Sequence, residues 1–302
     1  WDQDGIVASS QLYDATRLVI RGDDVPLVIG EWYPITSPND FDFAVAKLTS
    51  SGGIDSAFGV NGVSAVNFFT GNSNATTALS VVQGDGKLVQ AGGCQKESGP
   101  VWCLVRRDTS GNIDTTFGTN GYAYAGKNFA NGAPLVLLAP DDSIILIGST
   151  YSASEYRFQL VKLTRNGVLD TSWGVDGYSN VGVGAGVNYV YPTAVQMQSD
   201  GAVLIEGAVN YGSGLEARLY RILSSGNLDS TFGTGGSVQI GPPGTNPQTG
   251  PLLLQADGRI LTVTHRDVGN VRSLEIDRRL PGGSADNLSL IHISEPTRRR
   301  GI

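Results

Sequence analysis

Few side chains in this 302-residue chain are suited to chemistry. It holds two histidines, His265 and His292, and two cysteines, Cys94 and Cys103. A histidine-ligated metal needs further ligands at suitable spacing, and neither histidine has them. His265 stands in Thr264-His265-Arg266-Asp267, near the end of an expected strand. There is no G-x-S-x-G elbow to raise a nucleophilic serine and no glycine loop to cradle phosphate. Acidic pairs occur at Asp23-Asp24 and Asp141-Asp142, and both fall where hairpin turns are expected. Asp2-Gln3-Asp4-Gly5 looks faintly like a calcium loop but aligns with a recurring turn. The sequence therefore offers no catalytic, metal or cofactor-binding residue, and no cofactor is expected.

Two other groups could act. Cys94 and Cys103 flank residues 95–102, the loop of an expected hairpin. A disulfide across it fits an oxidising compartment; two unrelated thiols are the alternative. Trp32, Tyr33, Tyr151, Tyr156 and Tyr211 lie in the segments where the chain varies most. Aromatic rings among polar neighbours can stack on sugars or grip a peptide, and the alternative is rings folded back on their own loops.

These groups sit on a repeating frame. Ile54-Asp55-Ser56-Ala57-Phe58-Gly59-Val60-Asn61-Gly62 returns as Ile113-Asp114-Thr115-Thr116-Phe117-Gly118-Thr119-Asn120-Gly121. It returns again with Asp170, Trp173, Gly174 and Gly177, then with Asp229, Phe232, Gly233 and Gly236. The period is 56–59 residues, and a fixed period of this size marks a repeat architecture. Between motifs lie short β-rich runs bounded by Gly, Asn, Asp and Pro. Asp85-Gly86, Asp200-Gly201 and Asp257-Gly258 separate apolar runs, as hairpin turns do. No segment shows a long 3.6-residue period. Each unit then holds about four antiparallel strands, and the fold expected is an all-β propeller of four-stranded blades.

In that frame Phe58, Phe117, Trp173 and Phe232 become plugs between blades, each contributing on the order of 2–3 kcal/mol. The following glycines allow sharp turns. Asp55, Asp114, Asp170 and Asp229 accept backbone N–H bonds that close those turns. A basic column, Lys47, Arg106, Lys162, Arg221 and Arg278, is placed to pair with the aspartates. A ring of ligand-binding charges is the alternative.

The pattern L/I-D-x-x-F/W-G-x-[N/D/G]-G, with an upstream hairpin such as Gln83-Gly84-Asp85-Gly86-Lys87-Leu88, resembles the delta-60 repeat family. The resemblance implies a bacterial β-propeller domain of unknown function within large, often exported proteins. It implies no catalytic residues.

Residues 1–287 are expected to form a single propeller fragment, with motifs ending near 5, 62, 121, 177 and 236 and a last one cut at 287. Residues 288–302 break the pattern and resemble a translated sequencing adapter, so a non-native tail is expected. The net charge of −7 argues against nucleic acid and anionic membranes. No run approaches the roughly 18 apolar residues of a membrane helix. The 41 glycines recur at repeat positions and mark turns. The reading is a non-catalytic binding, adhesion or scaffold module with an unknown glycan or protein ligand. It is placed outside the cell or in the envelope, beside further blades or domains of the same protein. A propeller-type hydrolase or lyase acting at a central channel is the alternative.

Overall fold

The computed structural model of the protein describes residues 12, 14–32, 42–66, 68, 76–96, 99–126, 129–152, 154–212, 214–240, 248–268 and 271–286. Residues 2–5, Tyr33 and 288–302 lie outside them, as does the side chain of Trp32. Among the described residues every regular element is a strand. They form five antiparallel meanders, here blades 1 to 5.

Blade 1 holds β1 (Asp14–Ile20), β2 (Pro26–Trp32), β3 (Asp42–Lys47) and β4 (Val63–Val66). Blade 2 holds β5 (Thr76–Val82), β6 (Leu88–Lys96), β7 (Gly99–Arg107) and β8 (Tyr122–Ala125). Blade 3 holds β9 (Phe129–Leu138), β10 (Ile144–Ser152), β11 (Glu155–Leu163) and β12 (Tyr178–Gly182). Blade 4 holds β13 (Tyr189–Met197), β14 (Val203–Asn210), β15 (Leu215–Ile222) and β16 (Ser237–Ile240). Blade 5 shows β17 (Gln248–Leu254), β18 (Ile260–Val268) and β19 (Val271–Arg279). The first strands of successive blades contact one another in order, which places them innermost.

Turn chemistry sets the hairpins between first and second strands. Gly86 N donates to Gln83 O at 2.8 Å, and Gly86 adopts φ +81°. Asp85 Oδ1 accepts from Lys87 N at 3.2 Å, holding the chain in the turn. In blade 3 Asp142 takes the glycine's place at φ +63°, a conformation that Asp tolerates better than most residues. The second and third strands of blades 2 to 4 are largely buried on both faces, so there is no single core. Apolar seams lie between blades, as at Ile145, Ile147 and Phe158 of blade 3 against Val203, Ile205 and Val209 of blade 4. Equivalent seams join blades 2 and 3, and blades 4 and 5.

The hairpins between second and third strands differ from expectation. Residues 148–152 and 155–157, around the Tyr151 and Tyr156 of a variable segment, are strand. β10 and β11 pair from Ile144↔Leu163 out to Ser152↔Glu155. Likewise Lys96 pairs Gly99, so the region around the cysteines is a long hairpin. Polar and aromatic side chains masked the alternation in these outer strand ends.

Candidate ligand face and the charged turns opposite

The meander gives each blade two ends. At one end lie the hairpins between first and second strands and the Asp-x-x-Phe-Gly turns. At the other, the upper end, lie the hairpins between second and third strands.

The turn end is a structural lock. Phe58, Phe117, Trp173 and Phe232 are all nearly inaccessible, and each covers a glycine of the next blade. A Cβ on Gly167 would lie 2.6 Å from Phe117 Cζ, and its φ is +76°, so both space and backbone require glycine there. Backbone bonds join the same places: Gly59 N donates to Ser110 O at 3.0 Å, Gly118 N to Asn166 O at 2.7 Å and Gly174 N to Ser225 O at 3.0 Å. Trp173 Nε1 also donates to Ser224 O at 2.8 Å, which explains how Trp serves where other copies have Phe.

Each aspartate of the motif works on two sides. Asp114 Oδ1 accepts from Thr116 N at 3.1 Å and from Thr116 Oγ1 at 2.6 Å. Its Oδ2 meets Arg106 at 2.9 Å and Lys87 at 2.9 Å. The pairs Lys47–Asp55 at 2.7 Å, Lys162–Asp170 at 2.9 Å and Arg278–Asp286 at 2.8 Å repeat it, as does Arg221–Asp229. Hydrogen bonds from Thr116 and Lys87, with Arg106 beside it, outweigh desolvation and hold the Asp114 carboxyl well below the usual carboxylate range. The basic column is thus engaged with the turns.

Between blades 2 and 3 Arg165 fills the space beside Asp85 (3.2 Å) and Asp142 (3.6 Å). Pro281 stands at that repeat position in blade 5, and a cleft of about 510 Å³ remains between blades 4 and 5. Its carboxylates are already used: Arg221 binds Asp200 and Asp229, and Arg259 binds Asp257.

The upper end carries the rings. Tyr151 and Tyr156 face each other across the β10–β11 ladder with centroids 4.7 Å apart, and Tyr151 is half exposed. Tyr211 turns inward, donating its hydroxyl to Val183 O at 3.1 Å, and leaves the group. Two rings not singled out by the sequence join it. Tyr189 and Tyr191 begin β13 on the innermost strand, 42% and 44% exposed, stacked 15° from parallel at 6.1 Å. In blade 2, Lys96 Nζ sits 3.3 Å above the Tyr124 ring. Cys94 and Cys103 are disulfide-bonded across the β6–β7 hairpin, with Cα atoms 5.8 Å apart.

The arrangement of blades can be set beside known proteins. A family model described as "Domain of unknown function (DUF5122) beta-propeller" matches residues 139–172 and 198–232. Each match runs from a first-to-second-strand turn through two strands into the Asp-x-x-Phe/Trp element. The solved structure of the polysaccharide lyase Uly1 is similar over 86% of this chain, at 10% identity and a TM-score of 0.50. The chain spans 57% of that lyase's length. A putative exo-β-1,3-galactanase from Bifidobacterium bifidum S17 aligns over 92% of this chain and 90% of its own, at 12% identity and a TM-score of 0.47. No curated protein matches by sequence.

The fold is a β-propeller.

Among the described residues, Arg107 and Glu206 are ionisable side chains with no exposure at all. Arg107 crosses from blade 2 to blade 1, donating to Ser64 Oγ at 2.8 Å and Phe43 O at 3.0 Å, with Gln90 Oε1 also bound. Burial pulls its pKa down to about 9. Glu206 on β14 is fully enclosed, and neither carboxyl oxygen has a hydrogen-bond partner. Burial pushes its pKa up to about 8. The Thr262 hydroxyl, on β18, is enclosed without a partner too. Ile29, Ala91, Ile147 and Val263 hold the position of Glu206 in other blades, so only comparison between copies could have drawn notice to it. His265 lies mid-strand on β18, opposite Gln248 and Leu274. Among the described residues no group of three His, Cys, Asp or Glu side chains is placed to hold a metal.

Proposed function

We propose that the chain is the non-catalytic binding part of a larger exported or cell-envelope protein, built from delta-60-type blades. Its upper face over blades 3 and 4 grips a glycan or an extended peptide. The observation that carries this reading is the exposed tyrosine group, above all the stacked Tyr189 and Tyr191 with Tyr151 nearby in chain order on blade 3. Rings exposed on both a hairpin and the innermost strand offer flat apolar faces with hydroxyl rims, the surface that sugars and aromatic or proline-rich peptides stack on. The polar groups that would otherwise bind charged ligands are held at the opposite end, in the Asp–cation locks.

A glycan and peptide array tests it, followed by titration of each hit against wild type and two double variants. Tyr189→Ala with Tyr191→Ala should weaken binding about tenfold or more, a change of about 1.4 kcal/mol. Tyr151→Ala with Tyr156→Ala should weaken it as well. Unchanged affinity in both double variants would remove the aromatic face as the site, and turnover of an array member would show an enzyme instead.

A further inference from the structure

In two seams a third-strand ring meets a second-strand glycine of the next blade. A Cβ on Gly148 would lie 2.3 Å from Trp102 Cζ2, and one on Gly207 would lie 2.3 Å from Phe158 Cζ. Ring and glycine fill the seams of blades 2–3 and 3–4 with no room to spare. Between blades 4 and 5 the same positions hold Ala217 and Thr264. The ring is replaced by a methyl group, and the glycine by a buried hydroxyl side chain.

Glu206 stands in that seam. It shares a strand face with Leu204, which clusters with Leu252 and Ile260 of blade 5. Its ladder partners are Ala194 and Leu219, and Ala208 follows it on the same face. Thr262 enters from the other side, on the face of β18 that carries Ile260. Glu206 is 0% and Thr262 1% exposed, and neither carboxyl oxygen nor the Thr262 hydroxyl has a hydrogen-bond partner. Where the seam of blades 3 and 4 holds Ile147 and Ile205, this one holds a carboxyl and a hydroxyl among alanines.

We propose that Glu206 makes the joint between blades 4 and 5 an acid-closed switch: the seam is shut while the carboxyl keeps its proton, and the two blades part locally when the proton leaves. Enclosing a carboxylate without a partner is costly, and parting lets water reach it. No described cation faces it. Glu206 is the one ionisable residue of β14, β13 brings only Tyr189 and Tyr191 at its upper end, and β16 and β17 bring none. On β15, Glu216, Arg218 and Tyr220 lie on the opposite face, and Arg221 at the turn end is bound to Asp200 and Asp229. On β18, His265 lies on the face away from Thr264, and the side chains of Arg266 and Asp267 lie outside the described residues. Burial alone raises the Glu206 pKa. The switch does not rest on the tyrosine face.

Thiol labelling on the full chain tests it. Cys94 and Cys103 are bonded to each other, so an introduced cysteine is the one free thiol. Ala217→Cys places it in this seam and Val161→Cys in the seam of blades 2 and 3, both at fully buried sites. Val175→Cys, at an exposed site, calibrates the thiolate fraction. A maleimide is reacted with each from about pH 5.5 to about pH 7.5, the range over which a closed seam binds a proton that a parted one does not. Relative to Val175→Cys, labelling of Ala217→Cys should rise by up to about tenfold per pH unit, while Val161→Cys stays flat. Adding Glu206→Gln to Ala217→Cys should remove the rise. Far-UV circular dichroism should be unchanged across the range, and if Ala217→Cys fails that control, Thr264→Cys replaces it. A flat ratio at the seam cysteine overturns the proposal, because the joint then stays shut. A rise that survives Glu206→Gln overturns it, because another group is then responsible. Equal rises at Ala217→Cys and Val161→Cys overturn it too, because the whole molecule then opens rather than one joint.

Discussion

A single carboxyl group sets an unusual pH dependence. Glu206 is enclosed with no partner, so the folded protein holds it neutral up to about pH 8, against about 4.5 when exposed. Its folded pKa is raised, so stability is full below about pH 4.5. It is lost as pH rises to about 8 and is flat beyond that. The slope is at most about 1.4 kcal/mol per pH unit. The motif aspartates act with the opposite sign. Asp114, Asp170 and Asp229 have lowered folded pKa values, so their contribution is present above the ordinary carboxylate range and fades as pH falls through it. Denaturant midpoints should therefore peak in mildly acidic buffer and fall toward pH 8. Glu206→Ile, the residue blades 1 and 3 use, should abolish the fall above pH 5 while leaving the acid limb intact. An unchanged alkaline slope in that variant would assign the effect to another group.

The blade itself was legible in the sequence wherever residue type alone determined structure. Asp-Gly turns, the Phe/Trp plug and the Asp–cation pair follow from a backbone angle, a volume and a charge. The reach of the strands into the upper hairpins was not legible, because Tyr151, Ser152 and Glu155 are polar or aromatic and give no alternation to read. Tyr189 and Tyr191 escaped notice for a related reason: they open a strand, not a loop. Close approach was legible only once neighbours were known. Gly148 has ordinary φ, yet a Cβ there would lie 2.3 Å from Trp102 Cζ2 of the preceding blade. Gly182 has nothing within 4 Å. Gly148→Ala should thus cost about 1–3 kcal/mol by overpacking a seam, and Gly182→Ala should shift the unfolding midpoint little. Equal costs at both positions would mean the seam relaxes freely.

At the scale of the whole molecule, stability is a sum of blades and seams rather than of one core. Blades 2, 3 and 4 have both faces covered, whereas blade 5 shows Leu274 and Ile276 to solvent. Amide hydrogen exchange on dilute protein should then protect β10, β11, β14 and β15 longer than β18 and β19. Uniform protection would show that unfolding is concerted across all blades. The repeat period announced this modular plan, but the differences between copies, Glu206 for Ile or Pro281 for Arg165, decide which seam is weak and where a cleft opens.

The lock at the turn end has a consequence for heredity. Each plug runs from one copy to a fixed address in the following copy, here Phe58 to Gly111, Phe117 to Gly167, Trp173 to Gly226 and Phe232 to Gly283. A whole unit cut out or duplicated at the DNA level would still set a Phe or Trp plug against a glycine at each joint. Gain or loss of complete units would then lengthen or shorten the array by whole blades. Blade number is in that sense a heritable variable that the architecture leaves open, while the plug-to-glycine joint between blades is kept.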